Sequence, residues 1–224
     1  MEGAKSQVKN LMINIPYLAV IIPHFKGAKI LIDCLESLFK NNYENFDIIL
    51  VDNGSTDGSV QFVENKYYKD VDSGRLKVIK SPKNLGFVKG NNLGIQYVLS
   101  TEKYKYMVLL NDDTVVDPNW LIELVKAAEM DPTIGALQPK LKSLRKPSFF
   151  EYNGACGGML DVYGVPFCRG RIFDLEEEDK GQYDTIAEVF WASGAAMFLR
   201  VKAIREAGLL DEILYAHMLS LIHI

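Results

Sequence analysis

Cysteine is scarce and unpatterned. Cys34, Cys156 and Cys168 are the only three in 224 residues, they form no CxxC pair, and their odd number excludes a complete disulfide framework. A reducing compartment is expected, with the thiols as buried apolar filler. No stretch approaches the roughly 18 apolar residues that a spanning helix needs, and residues 1–10 lack the apolar core of a signal peptide. A cytoplasmic chain is the expectation, with peripheral membrane contact left open. An excess of one charge is also missing: 25 Lys and Arg stand against 29 Asp and Glu, a formal net charge of -4, so nothing global attracts nucleic acid, and no nucleic-acid partner is expected. Neither GxGxxG nor GxxxxGK[ST] occurs, which removes support for a dinucleotide fingerprint and a P-loop. There is no internal repeat and no low-complexity tract.

What is present is globular, 48% hydrophobic and 24% charged, enough for one sizeable core. The run Tyr106 to Leu110 ends abruptly in Asn111-Asp112-Asp113. Met107 to Leu110 read as a strand covered on both faces, which puts the two acids at its carboxyl end, where open α/β sheets bind ligands. Adjacent carboxylates there can offer hard oxygens to Mg²⁺ or Mn²⁺ on a diphosphate, or can form a plain acidic turn. Asp117 before Pro118 is expected to cap the next helix, with Pro118 at its first position.

Upstream, Tyr17 to Pro23 predicts a buried strand stopped by Pro23, and Leu31, Cys34, Leu35, Leu38 and Phe39 recur at helical spacing after it. Asp47 to Val51 predicts a second strand, leading into Asp52-Asn53-Gly54-Ser55-Thr56-Asp57-Gly58. Asp52 could accept hydrogen bonds from a base or ribose, or this stretch could bond its own backbone as an Asx-type turn. Leu76 to Lys80 predicts a third strand, followed by glycines 86, 90 and 94, spaced four apart so that a backbone can approach a ligand or another element closely. Lys89 fits beside phosphate oxygens or as an ordinary solvated residue at a helix start. With Trp120, Leu121, Leu124, Val125 and Ala128 forming a further helix face, the β-α alternation predicts a three-layer α/β/α fold with a mostly parallel central sheet. The second half is less periodic. Ile134 to Leu141 predicts a strand, residues 142–187 a long irregular insertion, and Glu188 to Arg200 a return to apolar character. Trp191 there could stack on a sugar ring or pack in the core. Val201 to Ala207 predicts a short helix closed by Gly208.

Four segments in order, Ala19 to Phe25 with Ile49 to Ser59, Asn84 to Ile95, Tyr106 to Leu121, and Trp191 to Glu212, resemble glycosyltransferase family 2, the inverting GT-A enzymes, in the branch that includes bacterial rhamnosyltransferases. The resemblance implies a GT-A (nucleotide-diphospho-sugar transferase) fold over 1–224, with a nucleotide-sugar-binding half at 16–117 and an acceptor-side half at 118–224. It implies a dTDP- or UDP-linked sugar donor and a saccharide or lipid-linked acceptor in surface polysaccharide assembly. By the same resemblance Pro23 and Asp52 line the nucleotide end of the donor pocket, and Asn84, Gly86, Gly90 and Asn91 line the nucleotide and diphosphate, with Lys89 in the same loop as the candidate phosphate neighbour. Asp112 and Asp113 occupy the DXD-like position, Asp113 as the ligand of Mg²⁺ or Mn²⁺, and Ser193 and Gly194 face the sugar and acceptor. The family's general base would fall where Leu219 and Ser220 stand, and no Glu or Asp follows Glu212. The expectation is therefore a chain truncated or altered there, poor in transfer, with a non-catalytic nucleotide-sugar-binding or scaffold relative as the alternative. The apolar stretch Ile213 to Ile224 leaves homo-oligomerisation open.

Overall fold

The structure, a computed structural model, describes residues 15–151, 154–172 and 174–214. Strands β1 (Leu18–His24), β2 (Phe46–Asp52), β3 (Leu76–Lys80) and β4 (Tyr106–Leu110) alternate with helices α1 (Ala28–Phe39), α2 (Ser59–Lys66), α3 (Tyr68–Ser73) and α4 (Gly86–Leu99). Helix α5 (Trp120–Met130) follows β4, then β5 (Ala136–Leu137), a group of short strands β6 (Gly158–Leu160), β7 (Pro166–Cys168), β8 (Arg171–Ile172) and β9 (Leu175–Glu176), and finally β10 (Ala196–Arg200) with α6 (Val201–Ala207). The main sheet runs β3-β2-β1-β4-β10-β5. Its first four strands pair in parallel, while β10 is antiparallel to both β4 and β5.

All seven residues of β2 and all five of β4 are buried, because helices cover both faces of the sheet and no alternate residue has to meet water. Side chains alternate between two cores. Leu18, Val20 and Ile22 share one with Leu35 and Leu38 of α1 and Leu121 of α5. Ala19 and Ile21 share the other with Ile95 and Val98 of α4 and with Val201 of α6. These are the three layers that the alternation predicts.

Some local expectations change. Pro23 does not stop β1: it pairs in register with Val51, and the strand runs on to His24. His24 C=O accepts Asn53 N–H on the β2 side, so Pro23 turns its missing donor toward β4, where the ladder has already ended at Ile21. Helix α5 starts at Trp120, with Asn119 before it, because Asp117 Oδ1 accepts Asn119 N–H at 2.8 Å in an Asx-type turn that keeps Pro118 outside the helix. The strand expected over Ile134 to Leu141 is reduced to Ala136–Leu137, and the insertion holds an antiparallel sheet in the order β6-β7-β8-β9. Among the described residues no helix is long and apolar enough to cross a membrane.

Candidate active site at the carboxyl edge of the sheet

The strand order reverses beside β1, and the loops after β1, β2 and β4 meet there. Register places His24 next to Asp52. His24, only 1% exposed, sets Nδ1 at 2.6 Å from Asp112 Oδ2 and Nε2 at 2.9 Å from Ser59 Oγ. Ser59 in turn donates its hydroxyl to Asp57 Oδ1 at 2.6 Å, and Asp57 Oδ2 accepts Gly27 N–H at 2.7 Å. Those two bonds hold the Asp57 carboxyl well below the usual carboxylate range. With the one Ser59 proton on Asp57, Ser59 Oγ is left to accept from His24, and the other ring nitrogen faces Asp112 Oδ2.

Asp52, 8% exposed, accepts Ser55 N–H on Oδ1 at 2.8 Å, the turn bond that the sequence allowed. Asn53 does more than close its own turn. Its Nδ2 donates to Asn84 Oδ1 and Gly86 C=O, both at 3.0 Å, and its Oδ1 accepts Leu85 N–H at 2.8 Å, so one buried amide docks the β3–α4 loop. Asn84 Oδ1 also accepts Gly86 N–H at 2.8 Å, which shapes the turn where Gly86 takes φ +81°. Gly90 turns its bare face to Asn53 and Pro23, and Gly94 turns its own to Ile21. Asn91 is fully buried: Nδ2 donates to Phe87 C=O, and Oδ1 has no hydrogen-bond partner among the described residues. Lys89 lies one turn into α4 with its ammonium 3.4 Å from Glu212 Oε2.

At the end of β4, partial desolvation of the Asp113 carboxyl and then the Asp112 charge raise its pKa, and Glu151 adds like charge. Beneath the pair, burial followed by the charges of Asp112 and Asp113 pushes the Cys34 thiol up to about 12, so it is inert filler as expected. Asn111 N–H donates to Ala195 C=O at 3.0 Å, which joins the Ser193–Ala195 segment to the acid strand. Ser193 N–H is held by Gln138 Oε1 at 2.6 Å, and a Cβ on Gly154 would lie 2.3 Å from Ser193 Cβ. The indole of Trp191 packs against Gly158, where a Cβ would come within 1.7 Å of the ring, and its Nε1 is buried. Leu219 and Ser220 lie outside the described residues. A cleft of about 450 Å³ opens at the opposite, amino-terminal edge among Tyr17, Phe46, Asp47, Arg75 and Lys103. None of the carboxyl-edge acids lines it, and of its own two acids, Glu44 and Asp47, the latter is already bonded to Lys103 and Tyr104.

The structure thus gathers Pro23, Asp52, Asn84, Gly86, Asp112 and Asp113 on one edge, with Ser193 and Gly194 reaching it through Ala195. Sequence reasoning missed His24, Asn53 and Gln138, whose roles depend on partners distant in the chain.

The family model described as "Glycosyl transferase family 2" matches residues 19–180. Glycosyltransferase GlyG of Streptococcus pneumoniae is 31% identical over 155 residues, which is 67% of this chain and 45% of that protein. An uncharacterized glycosyltransferase of Haemophilus influenzae is 29% identical over 126 residues, 56% of this chain and 37% of its own. The chain therefore spans less than half the length of these curated relatives. Among solved structures, a mannosyltransferase from Pyrobaculum calidifontis in complex with GDP-Man and Mn²⁺ superposes with a TM-score of 0.62 at 17% identity, covering 89% of this chain and 49% of that one. GalNAc-T7 with UDP, GalNAc and Mn²⁺ gives 0.68 at 17% identity, covering 93% and 40%. These likenesses establish the GT-A fold. With the family model covering most of the sheet and every carboxyl-edge loop up to α5, the chain belongs to glycosyltransferase family 2.

Proposed function

We propose that this chain forms the donor-binding unit of a metal-assisted, inverting transferase that moves a sugar from a nucleoside-diphosphate sugar, dTDP- or UDP-linked, to a saccharide or lipid-linked acceptor. The observation that carries this reading is the convergence of Asp52, the Asn53-docked Asn84–Gly86 turn and the Asp112-Asp113 pair on one sheet edge. Residues 16–117 act as the nucleotide half and 118–224 as the acceptor half of one GT-A domain. The rhamnosyltransferase-like branch, a cytoplasmic setting with peripheral membrane contact, and self-association belong to the same reading.

The residues fit a divalent cation. Asp113 carries a raised pKa beside a like charge, a condition that a cation relieves, and Asn111 Oδ1 next to the pair is buried without a partner among the described residues. The donor set is hard oxygen, suited to Mg²⁺ or Mn²⁺. Among the described residues no group of three His, Cys, Asp or Glu could hold the ion alone, which suits an ion shared with diphosphate oxygens. Bound there, it would neutralise charge on the departing diphosphate. Asp52 and the Asn84–Gly86 turn orient the nucleoside, and Ser193 and Gly194 border the space left for sugar and acceptor.

Calorimetric titration with UDP, dTDP and GDP, each with Mn²⁺ and with EDTA, tests the reading. One diphosphate is expected to bind in the presence of metal, and Asp113→Asn is expected to weaken it by about tenfold or more. If no diphosphate binds a chain that melts cooperatively, the reading is wrong.

A further inference from the structure

We infer that His24 is a positioning residue for the acid pair: braced from behind by Ser59, it fixes Asp112 through Oδ2 and leaves Asp113 as the carboxylate that takes the cation. This rests on the metal-assisted reading above. The family resemblance gives the cation to Asp113, but Asp112 and Asp113 are adjacent and chemically identical, so the resemblance offers no physical reason for that division. The geometry does. His24 sits at the last position of the central strand β1, 1% exposed, where the backbone on both sides is tied into the sheet or its loops. From there its Nδ1 lies 2.6 Å from Asp112 Oδ2, a short hydrogen-bond distance. One lobe of Asp112 is thus occupied by a charge-assisted bond, which lowers its capacity as a direct metal ligand and fixes its rotamer.

The brace extends further than one contact. Ser59 is 1% exposed and bonds both His24 Nε2 and Asp57 Oδ1, while Asp57 Oδ2 accepts Gly27 N–H. The line Gly27, Asp57, Ser59, His24, Asp112 therefore crosses three loops, those after β1, β2 and β4. A hydrogen-bonded group behind a metal-binding carboxylate sets its orientation, and removing such a group costs about 10–100-fold in metal affinity.

The test exploits the two ring nitrogens. The amide nitrogen of Asn can stand where Nδ1 does, and that of Gln where Nε2 does, so His24→Asn keeps a donor for Asp112 and His24→Gln keeps only the one toward Ser59. Mn²⁺ affinity is measured by calorimetry with saturating diphosphate, after a thermal melt of each variant. The expected result is a fall of about 10–100-fold in His24→Gln, most of the affinity restored in His24→Asn, and a smaller fall in Ser59→Ala. Equal affinities in the Gln and Asn variants, whether both unchanged or both reduced, would mean that His24 acts by packing alone and overturn the inference. Should His24→Gln fail to melt cooperatively, Ser59→Ala decides, and an unchanged affinity there overturns it. Failure of wild-type chain to bind Mn²⁺ with any diphosphate would overturn the metal reading as well. Wild-type binding with an unaffected His24→Gln would overturn this inference alone.

Discussion

Asn53 shows how much one side chain can organise. Buried to 4% exposure, it makes three hydrogen bonds to the Asn84–Gly86 turn, and the one to Gly86 C=O is itself buried. Asn53→Ala should cost about 2–4 kcal/mol in urea unfolding and should abolish nucleotide binding under conditions where the variant is still folded. A loss below roughly 0.5 kcal/mol would show that water replaces the amide. The sequence made Asp112 and Asp113 conspicuous because carboxylates interrupt an apolar run. His24 and Asn53 were not conspicuous: their partners lie 88 and 31 to 33 residues away, and a short-range pattern cannot encode a contact at that separation.

At the scale of elements, the spaced glycines of α4 turn out to serve packing. A Cβ on Gly94 would lie 2.3 Å from Ile21 Cγ2, and one on Gly90 would lie 3.2 Å from Asn53 Nδ2. Helix α4 can settle this closely on β1 only while both positions are bare. Gly94→Ala should therefore destabilise the fold by about 1–3 kcal/mol through overpacking, and Gly90→Ala by less, which thermal melts of the two variants would rank. The reverse order would mean that Ile21 yields more readily than Asn53. The parallel half was legible in the sequence because its strands are buried on both faces and its helices carry one apolar stripe each. The segment 142–187 was not, because strands of two or three residues are too short to show a period.

Across the whole molecule, stability is unevenly spread. The two cores flanking the main sheet are large, whereas the β6-β7-β8-β9 sheet rests on Phe150, Ala155 and Cys156 with Cys168 and Tyr183 alongside. Amide exchange should be at least about tenfold faster in the short sheet than in β1, β2 and β4. Ion pairs supplement this small core. Lys140 bonds both Asp179 and Asp184, and Lys142 also reaches Asp179. Burial would raise the Asp179 pKa, but the Lys140 bond, Gly181 N–H and Lys142 outweigh it and lower it. A carboxyl with a lowered folded pKa contributes stability above its unfolded value, near 3.9, and that contribution disappears as pH falls through the folded value. The protection factors of the short sheet, observed exchange divided into the intrinsic rate at the same pH, should accordingly fall as pH drops below about 4, and Asp179→Asn should remove that part of the fall. The antiparallel seat of β10 has a consequence for synthesis. As the chain leaves the ribosome, β1 to β4 can pair as soon as they emerge, but the partner of β4 on its other side, at Ala196–Arg200, follows only about ninety residues later. For roughly five to twenty seconds of translation the strand that ends in the acid pair is an open edge, exposed to mispairing with neighbouring nascent chains until its own late strand arrives.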